Sequence, residues 1–316
     1  MILLFIYFLF VLKFTLISSF NIIGWYVHDG LNIDPIFLPE NLNYSIYTHI
    51  KAGQPKVFPN GTAICDENDV ITPKIVELAH KYNVKVQWGL GFSFNPANPN
   101  LEIIKNYLDS IGIAANNCNI DGIEVDYEWN NNNWGKIGFI PHKLSNLYSQ
   151  LLKDIKIALG KNKIVSADVT GDVFLLGFNP WFNVTMLNNG DFDFVNVMSY
   201  YWSREGSLYK WQKDIELYKN IWKVDPKRVN IGIPYYSKNN TFNEPSWKFL
   251  NSFCPNIDPN INICNDVLFT GKNLNLNIGR LIKKNNFGGA FPWAANYDSV
   301  QFNNSLINWL YYGLYN

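Results

Sequence analysis

The sequence predicts an α/β protein made of a single (β/α)8 barrel, the TIM-barrel architecture, with no large inserted domain. Short runs of β-branched and aromatic residues alternate with amphipathic stretches, which is the pattern of repeated β/α units on a parallel sheet. No linker, internal repeat or low-complexity domain interrupts the alternation. The chain has 316 residues, which suits one barrel because such barrels often run to about 250 residues as one domain.

Eight of these runs are predicted to be the barrel strands. They are Ile22–Val27, Ile46–Lys51, Lys85–Gly89, Gly122–Tyr127, Ile164–Asp168, Phe194–Met198, Val229–Pro234 and Gly289–Trp293. Helical periodicity falls between or after them, at Pro73–Tyr82, Leu101–Ala115, His142–Leu159, Ser207–Ile221, Asn277–Asn285 and Val300–Tyr312. The segment 237–276 after the seventh strand is long for a barrel loop, which indicates a wall-forming or functional excursion.

The first nineteen residues are almost wholly apolar and end in the small pair Ser18-Ser19. We interpret 1–19 as a secretory signal peptide and 20–316 as the barrel domain. A membrane anchor is the alternative, since roughly twenty apolar residues can span a bilayer. The charged Lys13 and the start of a strand close behind the segment favour cleavage. We therefore expect a secreted or lysosomal protein with no membrane association after cleavage.

Two further features fit a secretory route. Sequons of the form Asn-x-Ser/Thr occur at Asn43, Asn60, Asn183, Asn239 and Asn303, and predict a glycoprotein. The four cysteines are compatible with two disulfides, and three connectivities are possible. The short spacing of Cys254 and Cys264 favours that pair, whereas Cys65 and Cys118 are either paired or free.

The charge balance is neutral, with 26 basic and 26 acidic residues. This excludes a basic field for nucleic acid and favours a neutral partner. The aromatic content is 16%, and aromatic faces are surfaces on which pyranose rings pack, although most of these rings are expected to fill the core.

The most informative segment is the acidic run 121–128, which reads Asp-Gly-Ile-Glu-Val-Asp-Tyr-Glu. Side chains in a strand alternate between faces, so one face carries Gly122, Glu124, Asp126 and Glu128. The opposite face is apolar and suits a layer of helices, which directs the acids into the barrel. Crowded carboxylates cannot all ionise, so one is expected to hold a proton and to serve as a general acid. An exposed edge strand with solvated acids is the alternative.

This run resembles the signature of family 18 glycoside hydrolases, the chitinases and their relatives, which reads Asp-Gly-x-Asp-x-Asp-x-Glu on the fourth barrel strand. Glu124 stands where the family has Asp. Weaker resemblances follow in the right order along the chain, at 24–26, 47–50, 198–201, 231–236 and 288–293. The third strand, Gln87–Gly91, fits least well, because the family has Ser-x-Gly-Gly there.

The resemblance implies a retaining, substrate-assisted mechanism, in which the N-acetyl group of the substrate is the nucleophile. Glu128 is implied to protonate the glycosidic oxygen, Asp126 to orient the acetamido group, and Glu124 to share a proton with Asp126. Tyr200 is implied to hydrogen-bond the acetamido group. Tyr201 replaces the family's Asp beside the sugar.

Four residues are implied to bind substrate: Trp293 as the floor under the sugar, with Tyr26, Tyr201 and Tyr236 lining the cleft. Because family members often carry a larger domain where 237–276 stands, a shallower groove is implied. Asp168 and Asp172, near the end of the fifth strand, are further candidate cleft acids, although Asp172 suits a loop turn equally well.

Other residue patterns give weaker evidence of function. The histidines at 28, 49, 80 and 142 lack the spacing of metal ligands, so no metal and no cofactor are expected. Gly89-Leu90-Gly91 lacks the third glycine of a dinucleotide fingerprint.

These observations predict a glycosidase that cleaves β-1,4-linked N-acetylglucosamine, in chitin, chitooligosaccharides or the cores of N-glycans. Within that class, a chitinase, an endo-β-N-acetylglucosaminidase and a chitobiase-like enzyme remain open. The alternative from another class is a non-catalytic chitin-binding lectin on the same barrel, because fold does not imply function. Such relatives typically lose the acid, and Glu128 is present.

Overall fold

The computed structural model describes residues 20–28, 37–95, 98–126, 142–171, 180–200, 207–237 and 245–316. Eight parallel strands form a closed barrel in which each strand pairs with its neighbours in the chain and the first pairs with the last. The strands are β1 Asn21–Tyr26, β2 His49–Ala52, β3 Lys85–Gly89, β4 Gly122–Asp126, β5 Ile164–Thr170, β6 Phe194–Met198, β7 Val229–Pro234 and β8 Gly289–Trp293. The predicted (β/α)8 barrel is therefore confirmed.

Helices surround the barrel. They are α1 Ile71–Lys81, α2 Leu101–Asn117, α3 His142–Leu159, α4 Val184–Asn189, α5 Tyr209–Glu216, α6 Trp247–Phe253, α7 Lys272–Asn285 and α8 Leu306–Tyr315. The helix α5 continues as a π-helical turn at Leu217–Ile221. Of the helices in the described ranges, none combines the length and the apolar composition needed to cross a bilayer.

Most strand boundaries agree with the prediction. The last helix, α8, begins at Leu306, six residues later than predicted, after a 3-10 turn at Phe302–Asn304. The strand β2 begins at His49 instead of Ile46, because Ile46 closes a turn by donating its N–H to the Asn43 carbonyl. The helix α7 begins at Lys272, five residues earlier than predicted, directly after a short hairpin. The predicted end of the fourth strand, at Tyr127, lies outside the described residues.

The barrel separates two apolar layers. Outward-facing strand residues such as Ile123 and Val125 are fully buried against the helices. A smaller cluster inside the barrel includes Ile23, Phe194 and Phe291. The inward face also carries buried polar side chains, and this mixture distinguishes the barrel interior from the outer layer.

The described part of the long segment after β7 is compact and has its own secondary structure. It holds α6 and a hairpin of Ile263–Cys264 with Val267–Leu268. The disulfide Cys254–Cys264 links the end of α6 to this hairpin. The pairing favoured from the sequence is therefore confirmed. A second disulfide joins Cys65 to Cys118, which the sequence left either paired or free.

The last helix is held by a buried carboxylate. Asp298 is 2% exposed and accepts hydrogen bonds from the N–H groups of Leu306 and Ile307 at 2.8 and 3.0 Å. It also accepts from the Ser305 hydroxyl at 2.8 Å and the Ser299 N–H at 2.7 Å. Ser305, Leu306 and Ile307 lie at the start of α8, so Asp298 satisfies N–H groups that a helix leaves without intrahelical partners.

Candidate active site

Two acids of the signature lie on the inward face of β4, as the alternation predicts. Glu124 is fully buried in the barrel, whereas Asp126, two residues further on, is exposed at the end of the strand. The strand packs closely on β5, because a Cβ on Gly122 would lie 2.2 Å from the Ile164 carbonyl oxygen. Glu128, the proposed acid, lies outside the described residues.

Glu124 is paired with a lysine on the facing strand β2. The Lys51 ammonium contacts Glu124 Oε2 and lies 3.1 Å from Asp168 Oδ1. The Trp25 indole N–H, from β1, donates to Glu124 Oε1 at 3.2 Å and more weakly to Asp168 Oδ2 at 3.4 Å. We call Lys51, Glu124 and Asp168 the buried ionic trio. All three are at most 1% exposed.

Three asparagines connect the trio to the other end of the barrel, and we call them the amide chain. Asn196 donates to Asp168 Oδ1 at 2.9 Å. Asn230 donates to the Asn196 carbonyl oxygen at 3.0 Å, and Asn21 donates to that of Asn230 at 3.2 Å. The orientation of Asp168 is therefore set by contacts from several strands.

Burial shapes the ionisation of the trio. It lowers the pKa of Lys51 to about 8, although the nearby carboxylates of Asp168 and Asp126 oppose this change. Burial also raises the pKa of Asp168, against the opposing effects of Lys51, Asn196 and Trp25. Desolvation disfavours every charged form here, while the ion pairs partly restore it.

The sequence reasoning missed Lys51. The available signal was a lysine within a predicted barrel strand. That Glu124 shares a proton with Asp126 stays a prediction, and its described contacts are to the ammonium of Lys51 and the indole of Trp25. Asp168, a candidate cleft acid, is buried beneath the strand ends instead of facing solvent, and Asp172 lies outside the described residues.

Aromatic rings stand above the trio at the ends of the strands. Trp25 and Trp293 are both partly exposed, with ring centroids 5.0 Å apart. Tyr200 lies 6.2 Å from the Tyr236 ring and 6.3 Å from the Phe291 ring, measured between centroids. Together with Asp126 these rings border the carboxyl end of the barrel, where TIM-barrel active sites lie.

The remaining predicted positions divide into two groups. Tyr26 does not fit the predicted substrate-binding role: its ring is buried outside the barrel and its hydroxyl donates to the Phe37 carbonyl at 2.8 Å. Its neighbour Trp25 occupies the inward position. Tyr201 lies outside the described residues, as do residues 238–244. Within the described ranges, no cluster of His, Cys, Asp or Glu is arranged to hold a metal ion.

The comparison with known families agrees with this architecture. The sequence profile described as Glycosyl hydrolases family 18 matches residues 24–266, which is well over half of the chain. The fold and its acidic strand define a barrel of the glycoside hydrolase type. The chain belongs to glycosyl hydrolases family 18. No curated protein sequence matches it significantly.

Solved structures share the fold at low sequence identity. A chitinase from Bacteroides thetaiotaomicron has a TM-score of 0.75 at 18% identity, covering 94% of this chain and 97% of that one. A class V chitinase mutant from Nicotiana tobaccum in complex with NAG4 has a TM-score of 0.71 at 15% identity, covering 94% and 99%. A family 18 chitinase mutant from Cycas revoluta, in complex with (GlcNAc)4, has a TM-score of 0.72 at 13% identity, covering 93% and 99%.

Proposed function

We propose that this chain is a glycoside hydrolase that cleaves β-1,4-linked N-acetylglucosamine by a retaining, substrate-assisted mechanism. Family membership and the N-acetylglucosamine oligomers bound by the Nicotiana and Cycas chitinases support this substrate class. The observation that carries the proposal is the exposed carboxylate of Asp126 at the end of β4, directly above the buried Glu124. It lies on the strand that leads to Glu128.

The chemistry assigned to β4 needs one acid and one carboxylate. Glu128 gives its proton to the glycosidic oxygen as the bond from that oxygen to C1 breaks. The carbonyl oxygen of the substrate's 2-acetamido group attacks C1 and forms an oxazolinium ion, whose charge Asp126 stabilises. Water then attacks C1 and transfers a proton to Glu128, which restores the acid and the acetamido group and retains the configuration.

The aromatic border supplies binding and orientation. Trp293 forms the floor under the reacting sugar, and Trp25 packs beside it. Tyr200 hydrogen-bonds the acetamido group through its hydroxyl, held in position by Phe291 and Tyr236. Tyr236 and Tyr201 line the cleft beyond that sugar. Aromatic faces contact pyranose rings without requiring charge, which matches the neutral composition of the chain.

We also propose that the protein works in the secretory pathway, either secreted or in lysosomes. The disulfides Cys65–Cys118 and Cys254–Cys264 support this, because such bonds persist in oxidising compartments. The sequons at Asn43, Asn60 and Asn303 are exposed and accessible to glycosylation. Mass analysis of the purified native protein before and after enzymatic removal of N-glycans tests this assignment.

Product analysis tests the reaction. The protein is incubated with chitooligosaccharides, with cellooligosaccharides and with a high-mannose glycopeptide, and the products are identified by mass. Cleavage of substrates that carry the acetamido group, and of no cellooligosaccharide, is expected because the nucleophile belongs to the substrate. The Glu128→Gln variant should still bind but lose about 10² to 10⁴ fold in kcat.

Two outcomes contradict the proposal. Comparable cleavage of cellooligosaccharides would mean that the protein itself supplies the nucleophile. Binding of chitooligosaccharides without any cleavage by the wild-type protein would instead identify a lectin. Release of intact glycans from the glycopeptide, compared with shortening of chitooligosaccharides, distinguishes a glycan-trimming enzyme from a chitinase.

A further inference from the structure

The ammonium group of Lys51 lies inside the barrel, next to the acidic side chains of β4. Lys51 is fully buried, and its ammonium contacts Glu124, approaches Asp168 at 3.1 Å and lies 4.3 Å from the centre of the Phe291 ring. The centre of the Trp25 ring lies 5.8 Å from the same nitrogen atom. An ammonium enclosed in this way cannot exchange its partners for water, so its charge acts on the fixed groups around it.

This cation changes how charge is balanced on β4. Glu124 and Asp126 both face inward on one strand, about 7 Å apart. Without a counter-ion, their two carboxylates would repel each other. One proton shared between them would relieve their repulsion. The Lys51 ammonium, in contact with Glu124, supplies a positive charge that balances the charge of its carboxylate. Asp126 then has no need to share a proton with the group beneath it.

We propose that Lys51 is a positioning residue for the reaction, an internal counter-ion that holds Glu124 as a carboxylate and thereby fixes the charge beneath Asp126. The inference rests on the proposed function and assigns to this site a charge pattern that the family resemblance did not imply. Lys51 does not touch substrate. It acts through Glu124, and Trp25 orients the same carboxylate from the neighbouring strand.

The groups that face Lys51 are known from every strand that packs against it. Glu124 and Asp126 come from β4, and Asp168 comes from β5. The groups from β1, β3, β6 and β8 are the neutral side chains of Trp25, Gln87, Asn196 and Phe291. On its own strand, burial lowers the pKa of His49 to about 4, so that imidazole is uncharged above about pH 5.

Charge counting gives a specific signature. The ionised trio carries a net charge of minus one. Lys51→Met makes this more negative by one, Glu124→Gln makes it less negative by one, and the double variant restores the original value. The acid limb of the kcat/KM profile should therefore move upward in Lys51→Met and downward in Glu124→Gln, each by about one pH unit. In the double variant it should return close to the wild-type position.

The experiment measures three quantities from about pH 4.5 to about pH 8 for each variant: kcat/KM on chitotetraose, the Kd of chitotetraose, and the midpoint of thermal unfolding. Lys272→Met is the matched control, because Lys272 is also buried but pairs with Asn304 outside the barrel. The control should leave the pH profile unchanged. Lys51→Met should lose stability more steeply than wild type as pH rises, since two buried carboxylates then lack a cation.

The results separate this inference from the proposed function. A wild-type protein that binds but never cleaves chitotetraose refutes the proposed reaction, and the pH dependence of the Kd and of the unfolding midpoint then decides whether Lys51 is a counter-ion. Shifts of the same sign in both single variants, or a double variant no closer to wild type than Lys51→Met, would overturn the inference. If Lys51→Met does not fold, recovery of folding in the double variant supports it, and continued failure refutes it.

Discussion

The cap of the last helix makes a stability prediction that can be worked from the structure. Burial raises the pKa of Asp298 to about 6, although four hydrogen-bond donors act in the opposite direction. The folded protein therefore binds a proton at Asp298 at pH values where the unfolded chain, with an ordinary carboxyl, has released it. Stability from this group is present in acid and is lost as pH rises through about 6.

The magnitude follows from linkage. Each pKa unit corresponds to about 1.4 kcal/mol, so raising the pH from about 4.5 to about 7.5 should remove about 2 kcal/mol through Asp298 alone. Asp298→Asn cannot titrate. The free energy of unfolding of the wild type, minus that of this variant, should thus fall by about 2 kcal/mol over the same interval.

Urea unfolding followed by tryptophan fluorescence, with disulfides intact, measures this difference at each pH. Asp109→Asn is the control, because Asp109 pairs with Lys105 on an exposed helix surface, where such pairs contribute little. A difference for Asp298→Asn that grows with pH would refute the reasoning. It would mean that the hydrogen bonds stabilise the ionised carboxylate by more than burial disfavours it.

Three further changes test the site and its framework. Tyr201→Asp should raise kcat on chitooligosaccharides if Tyr201 faces the cleavage point, and an unchanged kcat and pH profile would show that it does not. Trp293→Ala should raise KM more than it lowers kcat, by about tenfold for a lost aromatic platform, and equal binding measured by calorimetry would exclude Trp293 as the floor. Gly122→Ala should destabilise the protein by about 1 to 3 kcal/mol because its Cβ would meet the Ile164 carbonyl, whereas Gly89→Ala, whose nearest neighbour is 3.6 Å away, should be tolerated. Chemical denaturation of both glycine variants distinguishes the two cases.

The barrel was predictable because its strands are short, apolar and separated by periodic helices. The alternation on β4 also predicted correctly that Glu124 points inward and Val125 outward. On β1 the same rule was available, but Trp25 and Tyr26 are both aromatic, so composition did not indicate which of them faces the interior. In the structure Trp25 faces the interior and contacts Glu124, whereas Tyr26, the residue predicted to bind substrate, faces the outer layer.

Lys51 could not be predicted in its role, because a lone lysine in a strand usually lies at an edge with its charge in water. Only the closure of the barrel brings it to Glu124 and Asp168, which are far away in the chain. The helix cap at Asp298 was not predicted for a similar reason. The sequence alone did not indicate that this carboxylate is enclosed while it holds the start of α8.

The amide chain has a direction. A carboxamide donates from one end and accepts at the other, and here every link donates the same way, from Asn21 through Asn230 and Asn196 to Asp168. The ionised carboxylate of Asp168 can only accept hydrogen bonds, so the series ends there. Turning any one amide round would bring two donors or two acceptors together, so each asparagine holds the next in a single orientation. The direction of hydrogen bonding at Asn21, where β1 meets β8, is thus linked to that at Asp168 on β5. Replacing Asn21 with aspartate would remove a donor at one end of this series and so disturb amide orientations along it.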